Sequence, residues 1–369
     1  MKKNYPKVIA LYLPQYHPTM SNNKWWGQGF TEWTNVGKAK PLFKGHYQPK
    51  VPADLGYYDL RLPQVREAQA QLAREAGVYG FCYYHYWFGN GHQELELPFN
   101  EVIKTGKPEF PICLCWANES WHSKFWNIDG TIRKKCLAEQ IYENQEGHIK
   151  HFYHLLPAFK DHRYIKVNGK PLFMIYKPFE FENIKEFIEL WNKLAIENGL
   201  PGVHFVAHIF TKNEQDDIDK LYEFGFNAIN SMGLQIAIKS LYENEGKLKR
   251  TLNLLLKIPR AFSYSKAYPL FVQKIDTIED VYPSIIPNWD HTPRSGKAGS
   301  VLLNSTPNLF KKHCQQVFNI VRKKKIENQI VFLKSWNEWG EGNYMEPDLK
   351  YGKKYLETLR SVIEEYKNR

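Results

Sequence analysis

Two glutamates three residues apart, Glu338 and Glu341, stand in the stretch SWNEWGEG at 335–342 of a 369-residue chain. Directly before it runs Ile330-Val331-Phe332-Leu333, an apolar run that reads as a short buried strand. A solvated loop has no need of the tryptophans beside these acids, and a packed core disfavours the acids. Glycosidic-bond chemistry uses such a pair. One carboxyl moves a proton at the bridging oxygen and the other assists displacement, at about 5–5.5 Å in retaining enzymes and farther apart in inverting ones. If the chain turns helically after the strand, the two Cβ atoms come to lie roughly 5–6 Å apart on one face. Partial burial would raise the pKa of the acid. Two carboxylates capping a helix N-terminus are the plainer alternative.

A third carboxylate, Glu119, follows the strand-like run Ile112–Trp116 in CWANESW, again beside Trp and Asn. It reads as a ligand for sugar hydroxyls or as a further catalytic acid, with a local salt bridge as the bland alternative. His17, His85 and His208 also sit at strand ends, but no H-x-H or H-E-x-x-H spacing accompanies them, and no metal is expected. Glu214-Gln215-Asp216 and Asp217 could be acidic ligands of a nucleotide-sugar transferase; they open an amphipathic run, and helix capping explains them more simply. There is no G-x-S-x-G for a serine nucleophile, and no G-x-G-x-x-G after the first strand to signal nucleotide binding; no cofactor is expected.

The elements that must position these residues are legible as eight β-rich runs: Val8–Leu13, Gly80–Tyr86, Ile112–Trp116, Leu172–Tyr176, Val203–His208, Asn227–Ser231, Ser284–Pro287 and Ile330–Ser335. Helical spacing falls between most of them, as in 62–76, stopped by Gly77, and in 184–198, 308–325 and 354–367. Eight strands alternating with helices predict an α/β fold, a single (β/α)8 TIM barrel over 1–369, with an elaborated loop region around 232–283. In that fold the catalytic groups gather beyond the C-terminal ends of the strands. Those ends hold Tyr16, His17, His85, Tyr86, Trp116, Asn118, Glu119, Tyr176, Trp289 and Asn337, which with Trp33 form the expected substrate-binding rim around Glu338 and Glu341.

Composition agrees with a sugar partner without proving one. The 11 Trp, 23 Tyr and 22 Phe make 15% of the chain, and many lie beside His, Asn, Gln and Glu. Flat rings beside hydrogen-bonding groups suit sugar faces and hydroxyl edges, although rings also fill cores. A net charge of +11 raises a polyanion partner, but the lysines are dispersed and no nucleic-acid motif accompanies them. The densest run, Arg322-Lys323-Lys324-Lys325, ends a predicted helix and reads as a solvated, dipole-complementing end. Cys82, Cys113 and Cys115 fall in apolar runs, where a thiol acts as a small hydrophobe. An odd set of five cysteines predicts a reducing, cytoplasmic compartment. The first residues lack a signal-type apolar region, and no stretch reaches the length of a membrane span.

The stretches YLPQYHP (12–18), WWGQGFTEWTNV (25–36), PADLGYYDLR (52–61), FCYYHYWF (81–88), CWANE (115–119) and SWNEWGEGNYMEPD (335–348) resemble the WbsX-type family of bacterial O-antigen and capsule proteins, usually labelled glycosyltransferases. The resemblance is densest at 8–130 and 330–350, and the middle, roughly 210–300, matches little. That family in turn resembles glycoside hydrolase family 99, the endo-α-mannosidases and endo-α-mannanases, whose terminal motif N-E-W-x-E-G is matched by Asn337 to Gly342. The resemblance implies that Glu338 assists the substrate's own 2-hydroxyl as base through a 1,2-anhydro sugar, and that Glu341 is general acid, then base, with net retention. Gly340 departs from it, because those hydrolases carry a histidine there.

The expected activity is a retaining hydrolase-like reaction on a bacterial surface polysaccharide or its lipid-linked precursor, with contact to a lipid-linked glycan at a membrane surface left open. A glycosyltransferase of lipopolysaccharide or O-antigen biosynthesis is the first alternative. A non-catalytic carbohydrate-binding scaffold is the second. The oligomeric state is not legible.

Overall fold

A computed structural model describes residues 6–126, 132–210, 215–247, 250–251, 255 and 258–367. Eight parallel strands form its centre: β1 (Lys7–Tyr12), β2 (Gly80–Gly89), β3 (Ile112–Trp116), β4 (Lys170–Ile175), β5 (His204–Ile209), β6 (Ala228–Ser231), β7 (Val281–Ile285) and β8 (Ile330–Leu333). Each pairs with the next, and β1 pairs with both β2 and β8, so the sheet closes on itself. Closure leaves no edge and buries both faces, which is why these strands are apolar runs and not strict alternations. A helix follows each strand: α1 (Pro63–Glu75), α2 (Leu97–Thr105), α3 (Gln145–Lys160), α4 (Ile184–Glu197), α5 (Gln215–Glu223), α6 (Leu234–Glu243), α7 (Pro307–Val321) and α8 (Lys354–Lys367). The fold is a (β/α)8 TIM barrel.

Local chemistry explains the boundaries. α7 starts with Thr306 accepting from the Leu309 N–H and with Pro307 in its first turn, where the missing N–H costs nothing. α1 ends at Gly77, whose φ of 79° suits glycine and whose space is bounded by Ile363 of α8. β7 lies a few residues earlier than the sequence suggested, because Pro283 sits inside the strand, opposite Ser231. A proline reads as a breaker, yet its carbonyl still serves the ladder.

Two expectations need correction. The 232–283 region is not merely loop. Arg260–Ser263 pairs in parallel with Ser300–Leu303 in a separate small sheet, and Leu234, Phe262, Tyr264, Phe271, Trp289 and Leu302 share a second apolar cluster. The excursion therefore carries its own small core and draws in residues up to 303. The basic run after α7 is also not wholly solvated. Lys324 is buried, its Nζ donates to the Val281 carbonyl of β7, and burial pushes its pKa down to about 8. Asp216 and Asp217 lie in the first turn of α5, as capping predicts, while Glu214 lies outside the described residues.

Candidate active site

After β8 the chain makes a two-residue strand, Asn337–Glu338, that pairs antiparallel with Asn343–Tyr344 across the turn Trp339–Glu341. This tight hairpin takes the place of the expected helical turn. Several ties hold it to the barrel mouth. The Asn337 amide accepts from the Leu13 N–H at 2.8 Å and donates to the Leu13 carbonyl at 3.0 Å, copying a strand ladder at the end of β1. The Tyr16 hydroxyl donates to the Asn337 carbonyl and accepts the Trp339 N–H at 3.2 Å. Trp339 stacks on Tyr344 at 3.7 Å and donates its Nε1–H to Glu346 at 2.7 Å. The Asp290 N–H holds the Glu341 carbonyl at 2.6 Å.

The two carboxylates converge on one cation. Arg294, from the short helix Thr292–Ser295 after β7, donates Nη2–H to Glu338 at 2.8 Å and Nη1–H to Glu341 at 2.7 Å. Its Nε–H goes to Glu32 at 2.8 Å. All three faces of the guanidinium are thus filled by carboxylates, the planar fork matching geometry that an ammonium could not. Glu32 opens the helix Glu32–Gly37, which Thr31 caps. Lys334 adds a second cation 3.5 Å from the other oxygen of Glu341, and His291 lies 3.9 Å away.

Two carboxyls this close, both buried, cannot share one charge environment equally. Burial, then the neighbouring Glu341 charge, push Glu338 up to about 7 despite Arg294 and Lys334. Burial would raise Glu341 too, but Lys334, Arg294 and His291 together outweigh it and hold Glu341 down at about 2. The electrostatics favour Glu338 as the member of the pair that holds a proton below about pH 7.

The pair opens onto a cleft of about 610 Å³ lined by Gln15, Tyr84, Tyr86, Glu119, Trp121 and Tyr176, with Arg294 and Lys334 beside the acids. Of the predicted rim, Tyr86, Glu119 and Tyr176 line this cleft. Trp289 lines an adjoining cavity that also reaches Tyr176, Lys334 and Glu341, and its ring lies 5.9 Å from the Lys334 ammonium. Burial raises the Glu119 pKa, with Lys177 opposing at 3.7 Å.

Five predicted rim residues hold the frame and line none of this space. Tyr16 and Asn337 fasten the hairpin. Trp33 donates to the Tyr58 carbonyl at 2.7 Å and packs on Tyr16 and Trp339. Asn118 joins two barrel loops, donating to the Lys177 carbonyl and accepting the Lys177 N–H. His17 is buried outside the cleft, near Asp59 and Arg61.

His85 and Trp116 are corrected outright. His85 faces α3, its Nε2 2.8 Å from His151 Nε2, and burial pushes its pKa down to about 3. Trp116 packs on His151, Phe181 and Phe187 and donates to the Trp87 carbonyl. Side chains alternate along a strand, so Tyr84 and Tyr86 of β2 reach the cleft while His85 between them points to the helices. Parity along β2 could have found Tyr84. Arg294, Glu32 and Lys334 were missed because nothing local marks them; their roles arise only where distant segments meet.

The family described as Glycosyltransferase WbsX matches residues 8–359. Two proteins of Xanthomonas campestris pv. campestris, each called Uncharacterized protein WxcX, are similar over 364 residues: 30% identical in strain B100 and 31% in strain ATCC 33913. The match covers 96% of this chain and 49% of each relative, so the chain spans about half the length of the curated relatives it matches. Among solved structures, the GH99 endo-alpha-mannosidase from Bacteroides thetaiotaomicron is similar with a TM-score of 0.57 at 13% identity, covering 98% of this chain and 97% of that one. A glycoside hydrolase-like protein gives a TM-score of 0.60 at 12% identity, covering 98% and 95%. At such identities the likeness concerns the fold.

Proposed function

Since the chain belongs to the WbsX family, a family of carbohydrate-active character on a glycoside-hydrolase-like barrel, we propose that it breaks or transfers glycosidic bonds in a bacterial surface polysaccharide or its lipid-linked precursor. We assign Glu338 and Glu341 as the reacting pair, within a single catalytic unit over the chain. The observation that carries this reading is the one guanidinium shared by both carboxylates at the edge of a tyrosine- and tryptophan-lined cleft. An ion-pair network built for stability alone has no need of a cleft beside it.

The division of labour follows the likeness to family 99 and the electrostatics together. Glu338 would take the proton of the sugar 2-hydroxyl while that oxygen attacks the anomeric carbon, and Glu341 would give a proton to the leaving oxygen. Water, activated by Glu341, then opens the 1,2-anhydro ring, the 2-oxygen regains its proton from Glu338, and configuration is retained. At rest the proton lies on the opposite member of the pair, because Arg294 and Lys334 hold Glu341 ionised. On this reading, substrate would loosen Arg294 from Glu341, so that Glu341 can take up a proton before the leaving group departs. Tyr86, Trp121 and Tyr176 offer ring faces for a sugar, and Glu119 offers an acceptor for its hydroxyls.

Glycosyl transfer differs only in what opens the intermediate, an acceptor hydroxyl in place of water, and the family's own description favours keeping it as the second reading. Five cysteines without a disulfide, Cys136 exposed among them, support a reducing, cytoplasmic setting. No described helix is long and apolar enough to cross a membrane.

A panel of bacterial surface polysaccharides incubated with wild type, Glu338→Gln and Glu341→Gln tests the reading. Turnover by wild type alone, with retained configuration, supports it. Equal binding and no turnover by any of the three leaves a carbohydrate-binding scaffold. Tight nucleotide-sugar binding that needs Mg²⁺ or Mn²⁺ would establish a donor-dependent transferase instead.

A further inference from the structure

The cleft does not end at Glu341. A second cavity of about 950 Å³ shares Tyr176, Lys334 and Glu341 with the first and runs between the barrel mouth and the excursion. At Arg260, Ala298 and Gly299 it meets a third, of about 720 Å³, lined also by Tyr242, Arg250 and Lys297. The result is one groove, with the carboxylate pair near its middle and a cationic pocket at its end.

Two observations mark the groove as a ligand site. The first is His208, which lines the middle cavity and is 1% exposed, with no partner for its Nε2. The Asn230 amide nitrogen donates to Tyr282 and Ser284, so its oxygen faces His208 Nδ1 at 2.7 Å and must accept from it. That bond fixes the tautomer and leaves Nε2 a bare acceptor, suited to a sugar hydroxyl.

The second is the end pocket. The Arg250 and Arg260 guanidiniums both lie over the Tyr242 ring, at 5.4 and 5.7 Å. Contact through the ring face leaves the guanidinium N–H groups free of hydrogen bonds to the described residues. Neither they nor Lys297 pairs with a carboxylate of the described residues, and Glu245, which also lines the pocket, is engaged in an interaction of its own. Arg250, Arg260 and Lys297 all line this one pocket, which gathers three cations in one place.

We propose that the excursion builds a subsite in which Arg250, Arg260 and Lys297 bind an anionic group, phosphate or carboxylate, carried by the glycan that lies along the groove past Glu341. The groove's role in catalysis rests on the glycosidic reading above, whereas the anion subsite stands on its own cations. It gives the 232–303 region a function: to select substrates with a charge set back from the bond that reacts.

Calorimetric titration of the whole protein with inorganic pyrophosphate and, separately, with glucuronate tests this, using wild type, Arg260→Ala, Arg250→Ala/Arg260→Ala and Glu341→Gln. Wild type should bind at least one anion, more weakly as salt rises. Loss of charge-assisted bonds should weaken that binding about tenfold in the single variant and further in the double, with melting temperatures unchanged. Preference for pyrophosphate identifies a phosphate-bearing glycan, and preference for glucuronate an acidic sugar. Glu341→Gln should bind the anion as well as wild type. Silence towards both anions at low salt, or binding indifferent to both arginines, overturns the proposal. Arginine-dependent anion binding by a protein with no turnover on any polysaccharide would sink the catalytic reading and leave this one standing.

Discussion

Gly340 lies directly against Glu32: a Cβ at position 340 would come 1.6 Å from Glu32 Oε1 and 3.1 Å from Arg294 Nε. The glycine is required by space and not by backbone conformation, since its φ is not in the left-handed region. The absence of a side chain at 340 admits a third carboxylate, Glu32, which holds the arginine that holds Glu338 and Glu341. Gly340→Ala should therefore destabilise by about 1–3 kcal/mol, as overpacking does. In a Glu32→Ala background the same substitution should cost much less. Urea unfolding of the four proteins of that cycle checks it, and additive losses would refute the contact as the cause.

Arg294→Met removes the cation shared by Glu32, Glu338 and Glu341. Breaking a buried pair typically costs about 3–5 kcal/mol, and the arginine side chain is 24% exposed, so solvent screening places the loss at or below the lower end. Glu338 should then keep its proton to still higher pH. Unfolding at pH 7 should show a larger deficit than at pH 5, where Glu338 is already neutral. Arg294→Lys should recover charge but not the fork, and so only part of the stability.

The two acids act oppositely on stability across pH. Glu338 titrates at about 7 in the fold against an ordinary 4.5, so the folded state binds the extra proton between those values. Its contribution is present below 4.5 and is lost as pH rises towards 7. Glu341, held at about 2, does the reverse: its contribution is present above 4.5 and is lost as pH falls towards 2. Glu338→Gln should gain on wild type as pH rises from 4.5 to 7, while Glu341→Gln should lose ground on wild type as pH rises from 2 to 4.5. Melting curves between pH 2 and 8 check both signs. If the pair reacts as proposed, one proton must be present on it, and turnover should decline above about pH 7.

The barrel was legible because eight apolar runs alternating with helical stretches have few other arrangements, and all eight became strands. Glu338 and Glu341 stood out because carboxylates among aromatics at a strand end break the ordinary patterns of core and surface, but the hairpin that carries them was read as a helical turn. What could not be read was which strand-end residue faces inward, as His85 and Trp116 show, because a shift of one residue reverses the face. Arg294, 262 residues from Glu32, and Lys334 beside Glu341 carry no local mark at all. Charge partners across a barrel mouth are set by tertiary proximity, which periodicity does not encode.

The opposite orientations of Tyr86 and Trp116 give the last prediction. Both lie in apolar strands, Trp116 at the end of β3 and Tyr86 towards the end of β2, and both are nearly inaccessible, so burial alone does not tell them apart. Tyr86 lines the cleft beside the acids and contacts Trp121 at 4.8 Å, whereas Trp116 is wedged among His151, Phe181 and Phe187 under α3 and α4. Trp116→Ala should cost about 3–5 kcal/mol by opening a cavity in packed core, while any protein that still folds should bind polysaccharide as wild type does. Tyr86→Phe keeps the ring and the packing, so its melting temperature should hold. It removes a hydroxyl from the cleft, and affinity should fall by about 0.5–1.5 kcal/mol, the worth of one neutral hydrogen bond. Glycan binding measured beside thermal unfolding separates the two effects. A Trp116 variant that folds well but loses binding would mean that the outer face of β3 takes part in recognition after all.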